Sequence, residues 1–372
     1  MIAPTMINEI YEHLDDELSK KVFENRLLFY FLGEDKFKFG YIEGLFCLSG
    51  EQSEFGRARE RLISFLNQHT NLVVYGMGTC GRHLSYLYGQ DNLIYCDSEE
   101  AKMKRWQERG YKVISPEELK ESYADSTVLI TSWHIDYVNE ITASLIKMGF
   151  KENQILVYTE ILNNVGKELL EIGSAYYQYF DTNIIIPRLS KKEVFVDAGA
   201  LDAQISIDFA NHCGGSYDKI FAFEPNLELI PVCEEKTKAI KDITIYPYGL
   251  WNDDVELSFN TSNIDAVGHV VDGPNEDAQN TLKIQAVKLD NVIDKEENVT
   301  FIKMDIEGAE LNALKGAEQT ILRCRPKLAI SVYHKQEDIW EIPSYILSLH
   351  NDYTFYLRVY SFYGTEIVLY AV

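Results

Sequence analysis

The chain has no stretch that is both long and apolar enough to read as a membrane span. Its longest apolar runs, such as NLVVYGM and NIIIP, have strand length, whereas a spanning helix needs about 20 apolar residues. The opening, MIAPTMINEIYEHLDDELSKK, has no basic start followed by an apolar run. A secretory signal is therefore not expected, and a cytoplasmic location is. Positive charge is scarce: 35 Lys and Arg stand against 58 Asp and Glu, a formal net charge of −23. Nucleic acid and anionic lipid repel such a polyanion, so neither is expected as a partner. Cysteine is sparse: of the six, Cys47, Cys80, Cys96, Cys213, Cys233 and Cys324, none stands in a CxxC pair or at zinc-ligand spacing. Reduced thiols are the expected state.

What is present falls into three regions, expected as 1–68, 69–160 and 161–372. The first reads as helical. In IYEHLDDELSKKVFENRLLFYFLG, Ile10, Leu14, Leu18 and Val22 recur at helical spacing, and FGRARERLISFLNQ is a second amphipathic segment. It carries no chemistry and suits packing or dimerisation, so a homo-oligomer is among the expected assemblies. The second region alternates strands (NLVVYG, LIYCDS, STVLITS, QILVYT) with helices. That rhythm predicts a parallel sheet covered by helices. The third opens with helix-like VGKELLEIGSAYYQYF and repeats the alternation with EVFVDAG, KIFAFEP, ITIYPYG, VTFIKMD and KLAISVY, closing in a hairpin of FYLRVYS and EIVLYAV. The fold class is thus α/β, with two Rossmann-like doubly wound sheets behind a helical segment. Residues 252–287 fit neither rhythm and read as loop with short strands, placed to shape the choice of acceptor.

The second region carries GxGxxG at Gly76, Gly78 and Gly81, directly after a strand, and Asp97 ends the next strand. Glycines here permit a tight turn and a close approach of phosphate to backbone N–H groups, and the acid is placed for a ribose. Either a nucleotide or sugar nucleotide binds, or the turn simply needs glycine. A nicotinamide-dependent oxidoreductase would use the same motif, but no Tyr-x-x-x-Lys follows it. His134 in SWHIDY also follows a strand of this region.

In the third region every glycine or polar feature lies where a strand ends: Asp197 and Gly199, Glu224, Gly249 and Leu250, Asp305 and Glu307, and His334. Open α/β sheets bind ligands at that edge. The set suits S-adenosylmethionine. Gly199 lets the chain pass under the cofactor, Asp197 holds a water or the amino-acid portion, and Glu224 accepts from both ribose hydroxyls.

The segments VFVDAGA, FAFEPN, VKLDNVI, FIKMDIEGAELNALKGAE and AISVYHKQEDIWEIP resemble the FkbM family of S-adenosylmethionine-dependent methyltransferases. The likeness spans roughly 170–372, and IYEHLDDELSKKVFENRLL resembles the opening of two-domain members. It implies a class I methyltransferase fold for 161–372. It also implies O-methylation of a sugar, glycoconjugate or secondary metabolite, and Asp197, Gly199 and Glu224 as cofactor residues. Many members have a second glycine and an acid where this chain has Ala203 and Gln204. That departure concerns the detail of cofactor contact. The other readings are an oxidoreductase built on the first glycine motif and a nucleotide-binding protein without turnover.

Three carboxylates, Asp305, Glu307 and Glu310, follow the strand VTFIKM. Glu310 reads as a helix N-terminal charge. Asp305 and Glu307 are expected to orient the acceptor, with His334 as the base, since an imidazole of ordinary pKa, about 6.5, works near neutrality. A helix cap or a packing residue is the other reading of His334. Only hard oxygen ligands are on offer at the acids, so no metal is assigned.

Overall fold

The computed structural model describes residues 3–32, 54–69, 71–78, 81, 84, 93–132, 135–165, 178–260, 269–270, 281–360 and 366–372. They form two compact units, one of Met1–Phe31 with Ser174–Val372 and one of Leu32–Gly173. The opening region expected as one helical segment is therefore divided. Its first helices join the C-terminal unit, while the helix Glu54–Leu66 belongs to the other.

The periodic run from Ile10 to Val22 is not one helix but two, Pro4–His13 and Glu17–Leu32. Leu14 leaves the helix to bridge Phe355. Asp16 accepts from Ser19 N at 2.8 Å, as helix-starting acids do, and pairs with Arg358 Nη2 at 2.6 Å. Ile10, Leu14 and Val22 are buried as the spacing predicts, but Leu18 is exposed.

In the unit Leu32–Gly173, β1 (Leu72–Tyr75), β2 (Ile94–Cys96), β3 (Val113–Ile114), β4 (Thr127–Ile130) and β5 (Ile155–Val157) form a parallel sheet in the order β3-β2-β1-β4-β5. The expected strands are all there, short and apolar. Ser115 caps the helix Pro116–Ser122 by accepting from Glu118 N at 3.2 Å.

The C-terminal unit carries β6 (Val194–Ala198), β7 (Lys219–Phe223), β8 (Ile243–Tyr246), β13 (Phe301–Met304), β14 (Lys327–Ser331), β15 (Phe355–Val359) and β16 (Ile367–Ala371). Their order is β15-β16-β14-β13-β6-β7-β8, and only β16 runs antiparallel, inserted between β14 and β15. The terminal hairpin was legible; its insertion beside β14 was not. Phe195, Phe209 and Phe301 pack under this sheet, with the Phe195 and Phe209 rings stacked at 4.3 Å. Strands β6, β13 and β14 are buried on both faces along nearly their whole length, so they read as mostly apolar runs in which Asp197 and Lys303 stand out.

The stretch 252–287 supplies β10 (Val255–Asn260), β11 (His269–Val270) and β12 (Thr281–Val287), which join β9 (Gly249–Leu250) in a separate sheet of order β11-β10-β12-β9. Residues 261–268 and 271–280 of it, the segment 166–177 expected as helix, and His134 lie outside the described residues.

Candidate active site

The connections from β6 run to β7 on one side and those from β13 to β14 on the other. The carboxyl ends of β6 and β13 therefore flank the point where the sheet order reverses, the crevice where doubly wound sheets take ligands. Asp197, Gly199, Glu224, Asp305 and His334 all stand at strand ends along this edge.

Gly199 has φ +79°, and a Cβ added there would meet Asp305 O at 2.0 Å. Glycine is required for the chain to pass the end of β13, whatever the crevice holds. Gly199→Ala is expected to destabilise the unit by about 3 kcal/mol or more, from left-handed strain together with overpacking. At Gly249 a Cβ would meet only ordinary contacts at 3.6–3.8 Å. Gly249→Ala is expected to cost less than about 1 kcal/mol. Urea unfolding of the two variants reads the difference.

Asp197 sits at the end of β6 as expected, but its carboxylate is fully buried. It accepts from Ser206 Oγ at 2.8 Å and pairs with Lys303 Nζ at 3.1 Å. The same ammonium donates to Ala198 O at 3.1 Å and Gly199 O at 2.8 Å. The side chain thus orders the turn after β6. Lys303 was missed in the sequence. Its signal is a lysine inside the otherwise apolar FIKM.

Glu224 ends β7. Its Oε1 accepts from Asn226 N and its Oε2 from Leu201 N, each at 2.8 Å. Each oxygen has two lone pairs, so each keeps one. Burial raises its pKa, while the two backbone N–H groups pull it back. Leu201 and Leu227, 62% and 67% exposed, stand on the two loops that this carboxylate joins. Leu201 and Ala203 both have positive φ, 52° and 61°. The position where relatives have a second glycine therefore does demand left-handed backbone, and alanine adopts it here under strain. Gly249 and Leu250 lie in the small sheet on β9, Leu250 buried, with Pro225 the nearest neighbour of Gly249 on the Glu224 side.

The acids after β13 converge on His334. Glu310 Oε1 lies 2.9 Å from His334 Nδ1, Glu307 Oε2 3.1 Å from Nε2, and Asp305 Oδ1 3.5 Å from Nε2. Burial pulls the imidazole down, but Glu307 and Glu310 against its nitrogens push it up to about 11. Both ring nitrogens thus face carboxylate oxygens, and the side chain is 3% exposed. Glu310, read in the sequence as a helix charge, does accept from Ile306 N at 2.9 Å, but it is fully buried and faces His334. Burial and then Glu310 push Asp338 up to about 7. Asp305 and Glu307 are the accessible members, their side chains 24% and 30% exposed. Asp305 accepts from Tyr179 Oη at 2.6 Å and Tyr333 Oη at 3.3 Å. Gln178 donates to Tyr179 Oη at 3.0 Å and to Glu366 Oε2 at 2.8 Å. Tyr179 lies 126 residues before Asp305, and no spacing rule links them.

In the other unit, Asp97 repeats the arrangement of Glu224. Its Oδ2 accepts from Met77 N at 2.8 Å and its Oδ1 from Glu99 N at 3.1 Å. Gly76 has φ +110°, and a Cβ on Gly81 would meet Gly76 O at 1.9 Å, so the turn itself requires both. Among the described residues, a Cβ at Gly78 would meet nothing within 4 Å.

Among the described residues, no helix is long and apolar enough to cross a membrane. No curated protein matches the chain. A crystal structure of methyltransferase FkbM from Methylobacillus flagellatus KT is 20% identical, with a TM-score of 0.47, covering 91% of this chain and 100% of that one. An rRNA methylase from Streptococcus thermophilus is 15% identical over 50% of this chain and 89% of its own, with a TM-score of 0.32. A putative methyltransferase from Streptococcus mutans, in complex with SAH, is 12% identical over 55% of this chain and 98% of its own, with a TM-score of 0.32. Residues 197–362 match the family described as Methyltransferase FkbM domain. The matched residues span the strand ends from Asp197 to His334, so this part of the chain is similar to a methyltransferase FkbM domain.

Proposed function

We propose that the chain is a cytoplasmic S-adenosylmethionine-dependent O-methyltransferase acting on a hydroxyl of a sugar, glycoconjugate or secondary metabolite. The observation that carries this reading is Glu224, whose two oxygens each retain a lone pair at the end of β7 inside the stretch similar to an FkbM domain. Glu224 accepts from the two ribose hydroxyls, and the exposed Leu201 and Leu227 offer apolar faces to the adenine. The cofactor supplies an electrophilic methyl group. When bound, S-adenosylmethionine would give that methyl group to the acceptor oxygen and leave as the neutral thioether. The hydroxyl proton passes to Asp305, a partly exposed acid of the cluster that Tyr179 and Tyr333 hold by hydrogen bonds. His334 and Glu307 are positioning residues behind it.

A proton acceptor is worth about 10²–10⁴-fold. Asp305→Asn is expected to lower kcat by about 10²-fold or more, while S-adenosylhomocysteine affinity stays within about threefold. Calorimetric titration beside a methyl-transfer assay over a panel of hydroxylated acceptors tests both points. Unchanged kcat would remove Asp305 from the role, and methylation confined to amine or carbon acceptors would overturn O-methylation.

We further propose that the unit Leu32–Gly173 binds a nucleotide at Gly76, Gly78, Gly81 and Asp97. Gly78 supports this, since neither its conformation nor any described neighbour demands glycine. Titration with a UDP-sugar tests it, and a Gly78→Val variant that binds as well as the parent would refute it.

A further inference from the structure

We propose that Asp305, Glu310 and His334, with Glu307 as an additional oxygen donor, bind one divalent cation of the manganese-to-zinc kind. One ligand atom from each of Asp305, Glu310 and His334 lies within 4.8 Å of the others. Donors around an ion at roughly 2.0–2.3 Å stand about 3–4.6 Å apart. Glu310 now faces Nδ1 while Glu307 and Asp305 face Nε2, so an ion held by one nitrogen requires the imidazole to turn toward it.

Clustered acids alone do not make a site. Here two further features point to a missing positive partner. Glu310 is fully buried, and its Oε2 has no hydrogen-bond partner among the described residues. A buried carboxylate oxygen left without a partner is strongly unfavourable. The His334 side chain is 3% exposed, and among the described residues neither ring nitrogen makes an aligned hydrogen bond despite oxygens at 2.9–3.5 Å. Glu307 Oε2 is likewise buried without a hydrogen-bond partner. Glu307 also holds φ +59°, a left-handed conformation that a non-glycine residue adopts under strain, and this turn is what aims its carboxylate at the cluster.

The donor chemistry selects the ion. Read from the sequence, the strand end offered oxygen ligands alone. The fold adds an imidazole from the end of β14, and a mixed nitrogen–oxygen set suits manganese, iron or zinc better than calcium. Three carboxylates against one imidazole also leave excess negative charge, which a divalent ion neutralises. Asp305 and Glu307, 24% and 30% exposed, give the ion its open side. A hydroxyl bound there would lose its proton more readily. That catalytic use rests on the O-methyltransferase reading; cation binding does not.

The test uses the full chain, stripped with EDTA and titrated with Mn2+, following the paramagnetic resonance of the free ion and the thermal midpoint. One Mn2+ per chain and a raised midpoint are expected. Glu310→Gln and Asp305→Asn are each expected to weaken binding by about tenfold or more. If Glu310→Gln fails to fold, Asp305→Asn, at the exposed rim, still reads the site. No binding of Mn2+ or Zn2+, or unchanged affinity in the variants, overturns the proposal. Adding S-adenosylhomocysteine to the same samples separates the two readings. Cofactor binding without Mn2+ binding rejects the cation site alone. Mn2+ binding without S-adenosylhomocysteine binding rejects the methyltransferase reading alone.

Discussion

Replacing Glu224 with alanine is expected to weaken binding of S-adenosylhomocysteine by about 100-fold or more. Two contributions combine. The ribose loses two hydrogen bonds to a charged acceptor, each worth about 1.5–3 kcal/mol, and every 1.4 kcal/mol is about tenfold in affinity. The loops lose their link as well, because the carboxylate holds Leu201 N and Asn226 N at 2.8 Å. Glu224 is 7% exposed and holds two backbone N–H groups, so a loss of stability accompanies the larger loss of cofactor affinity. Calorimetry, with circular dichroism as the folding control, checks it. A dissociation constant within about threefold of the parent would show that the ribose binds elsewhere.

Removing the ammonium of Lys303 is expected to cost about 3–5 kcal/mol, the range for breaking a buried ion pair from one side. Lys303 is 2% exposed and Asp197 fully buried. In Lys303→Met the Asp197 carboxylate keeps Ser206 but loses its counter-charge, and Ala198 O and Gly199 O lose their donor. The turn that carries Gly199 and Leu201 should loosen with it. Adding Asp197→Asn removes the orphaned charge, so the double variant is expected to be more stable than Lys303→Met alone. Denaturant unfolding of both single variants and the double variant closes the cycle. Strict additivity would mean that the two side chains do not act as a pair.

Two features were legible in the residues alone. The strands were readable because short apolar runs bounded by glycine and acids have few other solutions, and the alternation with helices left a parallel sheet as the economical one. The crevice edge was readable because each glycine or acid sat at the end of such a run. Asp305, Glu307 and His334 were thus identified together, although their distances were not.

Local pattern was silent on contacts between distant segments. The periodicity of Ile10 to Val22 predicts one helix, but Asp16 breaks it by pairing with Arg358, 342 residues away. Lys303 looks anomalous in FIKM until Asp197 is placed beside it on the neighbouring strand. Tyr179 reaches Asp305 only because the segment before β6 folds back to the end of β13.

The amino-acid order by itself determined the strand and helix types, the two glycine turns and the acids that line the crevice, because each follows from spacing and backbone freedom within a few residues. Tertiary structure alone decided what those acids do. Burial and the approach of His334 turned Glu310 from a helix charge into part of a cluster, set carboxylates against the imidazole expected to be the base, and left Asp305 and Glu307 partly exposed. The state of a carboxylate or an imidazole depends on charges and solvent within a few ångströms, and the residues that supply them come together only when the sheet is assembled.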